Sequence, residues 1–203
     1  MKHSSKTLQV VAAKLKADCQ PYLKATEFYA YPLYRGLRNT NRYNLAVAKC
    51  PVNRPPRDTN LAIHEIADTY FYKNFGAHYR SGAFFVTGSQ EEASMYGDEL
   101  GGETFLFFPM GAFKFCWSPR YADFYADLEN EIYGEEENEF IWSDSNLGET
   151  VVQYIERGHY RTNDIKNATR SGHEIMLTCA SAYLLKTSFQ YQFEEIQYNI
   201  KRK

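Results

Sequence analysis

The chain of 203 residues is poor in the features that would each assign a class at sight. Its four cysteines, Cys19, Cys50, Cys116 and Cys179, lie far apart without a CxxC pair, which excludes a zinc cluster and a disulfide framework. They read as reduced thiols, with Cys116 and Cys179 expected in buried strands. No run approaches the roughly 20 apolar residues of a membrane-spanning helix, and MKHSSKTLQVVAAKLKADC lacks a signal peptide's apolar core. The expectation is a soluble, cytoplasmic protein with no membrane partner. There is no GxGxxG and no Walker loop. His64-Glu65 begins like HExxH, but Asp68 stands where the second histidine belongs, so no metal is expected. A Cys/His hydrolase pairing Cys116 or Cys179 with His64, His78 or His173 has no spacing to support it. No repeat or Pro/Gly/Ser-rich hinge divides the chain, which predicts one domain over 1–203: a helical segment 1–27, then a core over 28–203 carrying an acidic insertion at about 121–156.

What the chain has in excess is aromatic side chains, 16 % of residues, from 17 Tyr, 14 Phe and 2 Trp. Such rings favour pleated, half-buried surfaces and tilt the expectation toward a sheet-rich core. Charge is segregated behind a net value of −2. Between Tyr121 and Glu156 there is no Lys or Arg but 11 of the 25 acidic residues, leaving 23 basic against 14 acidic residues elsewhere. A basic body attracts anions such as a nucleotide or nucleic acid, and the acidic stretch repels them. The stretch Asp123 to Glu149, with Glu135, Glu136, Glu137 and Glu139, is therefore expected as a solvated loop on the rim of any anion site or away from it, free to choose a basic partner.

Helical spacing of Leu8, Val11 and Leu15 predicts a helix over 5–17. FYAYPLYR (28–35) reads as extended, and CPVNRPPRDT as a loop. From Thr59 to Phe75 the apolar residues recur on one face, with Thr59 or Asn60 as cap and Gly76 as stop. AFFVT (83–87) is a predicted strand, followed by a short helix capped by Ser89 with Glu92 and stopped at Gly97. TFLFFP and FKFCW are predicted strands around a Pro109 to Gly111 turn, and Ser118-Pro119 opens a predicted helix toward Leu128. HEIMLTC, AYLLK and SFQYQFEEIQYNI complete the pattern as C-terminal strands. Helices first and strands last argue for an α+β domain with an antiparallel core.

Three segments stand out in order: Tyr34-Arg35-Gly36; Phe85-Val86-Thr87-Gly88-Ser89 leading to Ala93 and Tyr96; and Ser171-Gly172-His173-Glu174-Ile175-Met176-Leu177. Together they resemble the Arg, Ser-Thr-Ser and Glu motifs of the ADP-ribosyltransferase family over about residues 28–186, with small phage and bacterial members the nearest in type. The resemblance implies an antiparallel-rich split-sheet core with helices packed around it, NAD as substrate, and transfer of ADP-ribose or hydrolysis of NAD in the bacterial or host cytoplasm. Glu174 would be the catalytic carboxylate on the ribose 2′-hydroxyl, favoured most when the ribose becomes oxocarbenium-like. Arg35 would clamp the phosphates, and the backbone at Gly36 would meet the nicotinamide amide. Thr87 would orient the glutamate, Ser89 would take the place of the second serine, and Tyr96 or Phe85 would stack on the nicotinamide ring.

Each residue also has a structural role open to it: an ion pair for Arg35, a turn for Gly36, a helix cap for Ser89, a strand position for Thr87 and a buried helix face for Tyr96. Thr87-Gly88-Ser89 departs from Ser-Thr-Ser. Gly172 stands where arginine-modifying members carry a second glutamate, which makes arginine an unfavoured acceptor and leaves another protein side chain, a nucleic acid, a small molecule or water. Two further readings remain open. One is a non-enzymatic binding or structural protein using the acidic stretch. The other is a nucleic-acid-directed enzyme using RPPR (54–57) and the terminal KRK.

Overall fold

The structure, a computed structural model, describes residues 5–27, 30–37, 44–57, 59–98, 102–133, 146–187 and 198. In chain order these form α1 (Ser5–Asp18), α2 (Gln20–Ala25), β1 (Leu33–Leu37), β2 (Leu45–Lys49), α3 (Leu61–Phe75), β3 (Phe84–Val86) and α4 (Gln90–Asp98). Then follow β4 (Glu103–Pro109), β5 (Phe113–Trp117), α5 (Phe124–Tyr133), α6 (Leu147–Arg157), α7 (Ile165–Ser171), β6 (Ile175–Cys179) and β7 (Ser181–Lys186). The fold is α+β, with two antiparallel sheets among the described residues, ordered β1-β4-β7-β2 and β3-β6-β5. Strands and helices interleave through the described residues, unlike the expected order of helices first and strands last.

Local sequence explains most boundaries. The Asn60 side chain accepts from the Ala62 N–H at the start of α3, and Gly76 ends that helix in the left-handed conformation, φ 70°. Ser89 accepts from the Glu92 N–H, as a capping box requires. Three boundaries differ from expectation. Gly97 does not stop α4, which runs to Asp98. Ser118 caps no helix: its hydroxyl accepts from the Arg120 and Tyr121 N–H groups in a turn, while Asp123 caps α5 through the Tyr125 and Ala126 N–H groups. The acidic stretch is not all loop, since α5 and α6 occupy its two ends. Its remainder, with Glu135, Glu136, Glu137 and Glu139, lies outside the described residues, as does the expected strand SFQYQFEEIQYNI apart from Tyr198.

The larger surprise is where neighbouring strands go. β4 and β5 flank the Met110–Gly111 turn yet belong to different sheets, and so do β6 and β7 on either side of Ala180. The two crossings lie side by side, the Met110 N–H donating to the Ser181 carbonyl at 2.9 Å. Gly111, at φ 64°, points its N–H at the Asp18 carbonyl, 2.7 Å away, which ties the turn to α1 and prevents a hairpin. Residues facing the inner core, Phe84, Val86, Trp117, Ile175 and Leu177, alternate along the three-stranded sheet and pack with α1, α2, α7 and the four-stranded sheet. Cys116 and Met176 point the other way, into a second core with Ile63, Ala67 and Phe71 of α3, Phe124 of α5 and Tyr154 of α6. Each such ring, fully buried, contributes about 1.5–3 kcal/mol.

The sheets are joined at their corner by paired backbone bonds between Tyr34 and Thr87, at 2.8 and 3.0 Å. Gly88 makes the join possible: a Cβ there would lie 1.8 Å from the Thr169 carbonyl oxygen of α7. Gly88→Ala should therefore destabilise the protein by about 3 kcal/mol or more, because the clash is with backbone. Gly148→Ala, in α6 where a Cβ meets nothing within 4 Å, should be neutral or stabilising by up to about 1 kcal/mol. Urea unfolding midpoints of the two variants provide the check; equal midpoints would contradict the packing argument.

Candidate functional site

By the alternation just described, residues opposite in phase to the inner core share the outer face of the three-stranded sheet. Phe85 pairs with Met176, and Val86 with Ile175. Just past that register the Thr87 hydroxyl reaches the Gly172 carbonyl, two residues before Glu174. The segments singled out in the sequence thus meet: β1 bridges to Thr87, β3 runs beside β6, and Glu174 stands at the start of β6, its N–H donating to the Ala122 carbonyl at 2.7 Å.

The partner of Glu174 is Arg80, a residue the sequence did not single out. Arg80 Nη1 donates to Glu174 Oε1 at 3.0 Å, with the two side chains 6 % and 16 % exposed. The same nitrogen lies 3.7 Å from Met176 Sδ, and the guanidinium sits 4.7 Å from the Phe85 ring centroid and 4.4 Å from that of Phe124. Arg80 is held from behind by Asp68 on α3. One oxygen of Asp68 accepts from the Arg80 and Ser81 N–H groups, and the other from the Ser81 hydroxyl at 2.6 Å and lies 3.0 Å from His78 Nδ1. Burial opposes the charge on Asp68, but the Ser81 hydroxyl and these N–H groups prevail and hold its carboxyl below the usual range. No sequence motif marks this arrangement; the one available signal was Asp68, a carboxylate on the apolar face of α3.

The expected residues take up places that differ in part from those the resemblance implies. Thr87 does not orient the glutamate: its hydroxyl donates to the Gly172 carbonyl at 2.5 Å and accepts from the Ser89 N–H at 3.1 Å, so Arg80 has that task. Ser89 is the cap of α4. Arg35 Nη1 donates to the Phe85 carbonyl at 3.0 Å, and burial, with the nearby Arg54 charge, lowers its pKa to about 10. Gly36 lies in β1 opposite Thr104. Phe85 does not offer a bare ring, since the Arg54 and Arg80 guanidiniums lie 4.1 and 4.7 Å from its centroid. Tyr96 is exposed rather than on a buried helix face, and its hydroxyl donates to Asp123 Oδ2 at 2.6 Å. Gly172 caps α7 at φ 75°, a conformation that disfavours the side chain found there in arginine-modifying enzymes.

Asp123, the first carboxylate of the acidic stretch, is beside the site, the nearer of the two places expected for that stretch, because the turn after Ser118 packs against the start of β6. One other expectation is corrected. Arg54 of RPPR is not merely solvated: Nη2 donates to the Arg80 carbonyl at 3.1 Å, and its N–H to the Ser81 carbonyl at 2.9 Å. Cys116 is buried and its thiol pushed well up by burial, which suits it poorly to nucleophilic work, while Cys179 is only half-buried in β6.

Glu174 itself is pushed up to about 7. Burial is the largest cause, opposed by Arg80 and reinforced by Asp123. A carboxyl with this value near neutral pH is equipped to exchange a proton or to meet a developing positive charge. Comparison of the chain with protein-family models, curated proteins and solved structures returned no match. The functional reading accordingly rests on the chain's own residues.

The raised value has a consequence for stability. The folded state binds this proton more tightly than the unfolded chain, so the stabilisation is complete below the ordinary value of 4.5 and is lost as pH rises through about 7. Over that window wild type should lose up to roughly 3 kcal/mol relative to Glu174→Gln, which has no proton to release. Urea unfolding at pH 5 and pH 8 measures this; a wild-type-to-variant difference that does not change with pH would contradict it.

Proposed function

We propose that the protein is an ADP-ribosyltransferase-like enzyme that binds NAD and cleaves its nicotinamide–ribose bond, passing ADP-ribose to an acceptor or to water. The observation that carries the reading is the meeting of Glu174 with the Arg35 and Thr87–Ser89 segments at one corner where the two antiparallel sheets join.

In this reading the ionised Glu174 faces the ribose as the bond to nicotinamide lengthens and positive charge builds on the sugar. Neutral nicotinamide leaves with the bonding electron pair, and a nucleophile attacks the anomeric carbon. Arg35 contributes to binding the phosphates. Arg80 holds the carboxylate in place and, by opposing its protonation, keeps more of it ionised. The resident Arg80 pair also fits a second reading, in which Glu174 is only a structural clamp: removing one member of a buried ion pair typically costs about 3–5 kcal/mol. The two readings differ in what the conservative variant does.

Purified protein should release nicotinamide from NAD, with a rate that rises with pH through an apparent pKa of about 7. Glu174→Gln, which still accepts a hydrogen bond from Arg80, should fold and bind NAD yet lose turnover by at least about 100-fold. Arg35→Ala should chiefly raise the KM. Retained turnover in Glu174→Gln would refute the catalytic role, and a folded, NAD-binding wild type with no turnover under any condition would favour the clamp.

A further inference from the structure

Two guanidiniums lie against the Phe85 ring with one carboxylate beside them, and a third, that of Arg35, lies over the neighbouring Phe84 ring, 5.2 Å from its centroid. Arg54 and Arg80 lie 4.1 and 4.7 Å from the Phe85 ring centroid, and Arg35 donates to the Phe85 carbonyl. Each is positioned by the protein through a backbone carbonyl or Glu174, not by mutual avoidance: Arg35 by the Phe85 carbonyl, Arg54 by that of Arg80, and Arg80 by Glu174. Among the described residues, Glu174 is the one carboxylate within ion-pair distance of any of them. Asp68 has its oxygens committed to the N–H groups of Arg80 and Ser81, the Ser81 hydroxyl and His78. Asp123 has one oxygen on the N–H groups opening α5 and the other on the Tyr96 hydroxyl.

The grouping is unfavourable as it stands. Arg54 is lowered by burial and then by the Arg80 charge, and Arg35 by burial and then by Arg54. Like charges held together in a half-buried place destabilise one another unless an anion joins them. An independent sign is Arg80 Nε, a buried donor on a side chain only 6 % exposed, with no hydrogen-bond partner among the described residues. Buried donors are rarely left so, and an orphan of this kind marks a place where an acceptor belongs.

We propose that Arg54 and Arg80, with Arg35 beside them, form a binding site for a compact polyanion of the pyrophosphate class. Guanidinium forks match phosphate oxygens bidentately, and two of them at the Phe85 ring, with Arg35 over the adjoining Phe84, suit two linked phosphate groups. The grouping is too tight and too buried for the successive phosphates of an extended nucleic-acid strand, which favours a small ligand. The proposal deepens the reading above, since a dinucleotide carries this group, but it assigns phosphate binding to Arg54 and Arg80, which no motif of that reading includes. Glu174 competes with the anion for Arg80, so ligand and carboxylate share one guanidinium.

Calorimetry with inorganic pyrophosphate tests this without any turnover. Wild type should bind it, and Arg54→Gln should weaken binding by about tenfold, the loss of a charge-assisted fork, while Lys73→Gln on the exposed end of α3 should not. Glu174→Gln should bind several-fold more tightly, because a neutral amide holds the Arg80 guanidinium less strongly than the carboxylate does. No binding to wild type, equal binding by Arg54→Gln, or unchanged or weaker binding by Glu174→Gln would each overturn the proposal. So would tighter binding of a 12-nucleotide single strand that pyrophosphate does not displace. Pyrophosphate binding without nicotinamide release would leave this site standing and refute the catalytic reading, and the reverse result would do the opposite.

Discussion

The Arg80 guanidinium is nearly buried, lies against the rings of Phe85 and Phe124, and gives one nitrogen to Glu174. Its backbone N–H is gripped by Asp68 from α3, and its carbonyl receives Arg54. Through this one residue, α3, β3, α5 and the start of β6 are connected. The charge state of Glu174 follows from it: burial drives the carboxyl toward neutrality, and Arg80 draws it back toward ionisation. A buried pair of this sort is weak evidence for stability taken alone, since desolvation offsets much of the attraction. Its value lies in fixing where a carboxylate points on the outer face of a three-stranded sheet.

That face is available because of how the chain alternates between sheets. Crossing at Met110–Gly111 and again at Ala180, it sends β4 and β7 to one sheet and β5 and β6 to the other. The inner core then forms between the sheets, and the second core forms beneath α3, α5 and α6. Glu174, Phe85 and Met176 fall at the edge of the second core, where polar and apolar surroundings meet. Gly88 closes the corner against α7, which gives a packing reason for glycine at the middle of Thr87-Gly88-Ser89. Gly172 has a different reason, the left-handed backbone at the end of α7. Both departures from the resembled motifs thus trace to local geometry.

Helices α1, α3 and α4, strands β3 to β7, and the capping roles of Asn60, Ser89 and Gly76 were legible along the chain, because periodicity and capping act over a few residues. So were the α+β class and the three segments that meet at the sheet corner. Strand partners were not: β4 and β5, neighbours across the Pro109 to Gly111 turn, enter different sheets, and that turn is tied to the Asp18 carbonyl, a partner far away in sequence. The short α2 and α7 and the strand β2 carried too little pattern to register. Arg80 escaped notice for the same reason, and Arg54 registered only as part of RPPR, since two arginines far apart in sequence become a pair only when the fold brings both to the Phe85 ring.

Sequence alone determined that this chain takes up an α+β fold rich in buried aromatics and that a glutamate abuts an apolar strand after a glycine, since these depend on residue type and near neighbours. Tertiary structure alone decided which sheet each strand enters, that Thr87 binds the Gly172 backbone while Arg80 holds Glu174, and that Asp123 stands close by. The physical reason is that strand partnership, burial and the pKa of a carboxylate are set by atoms brought together from distant parts of the chain, and no local pattern encodes their distances.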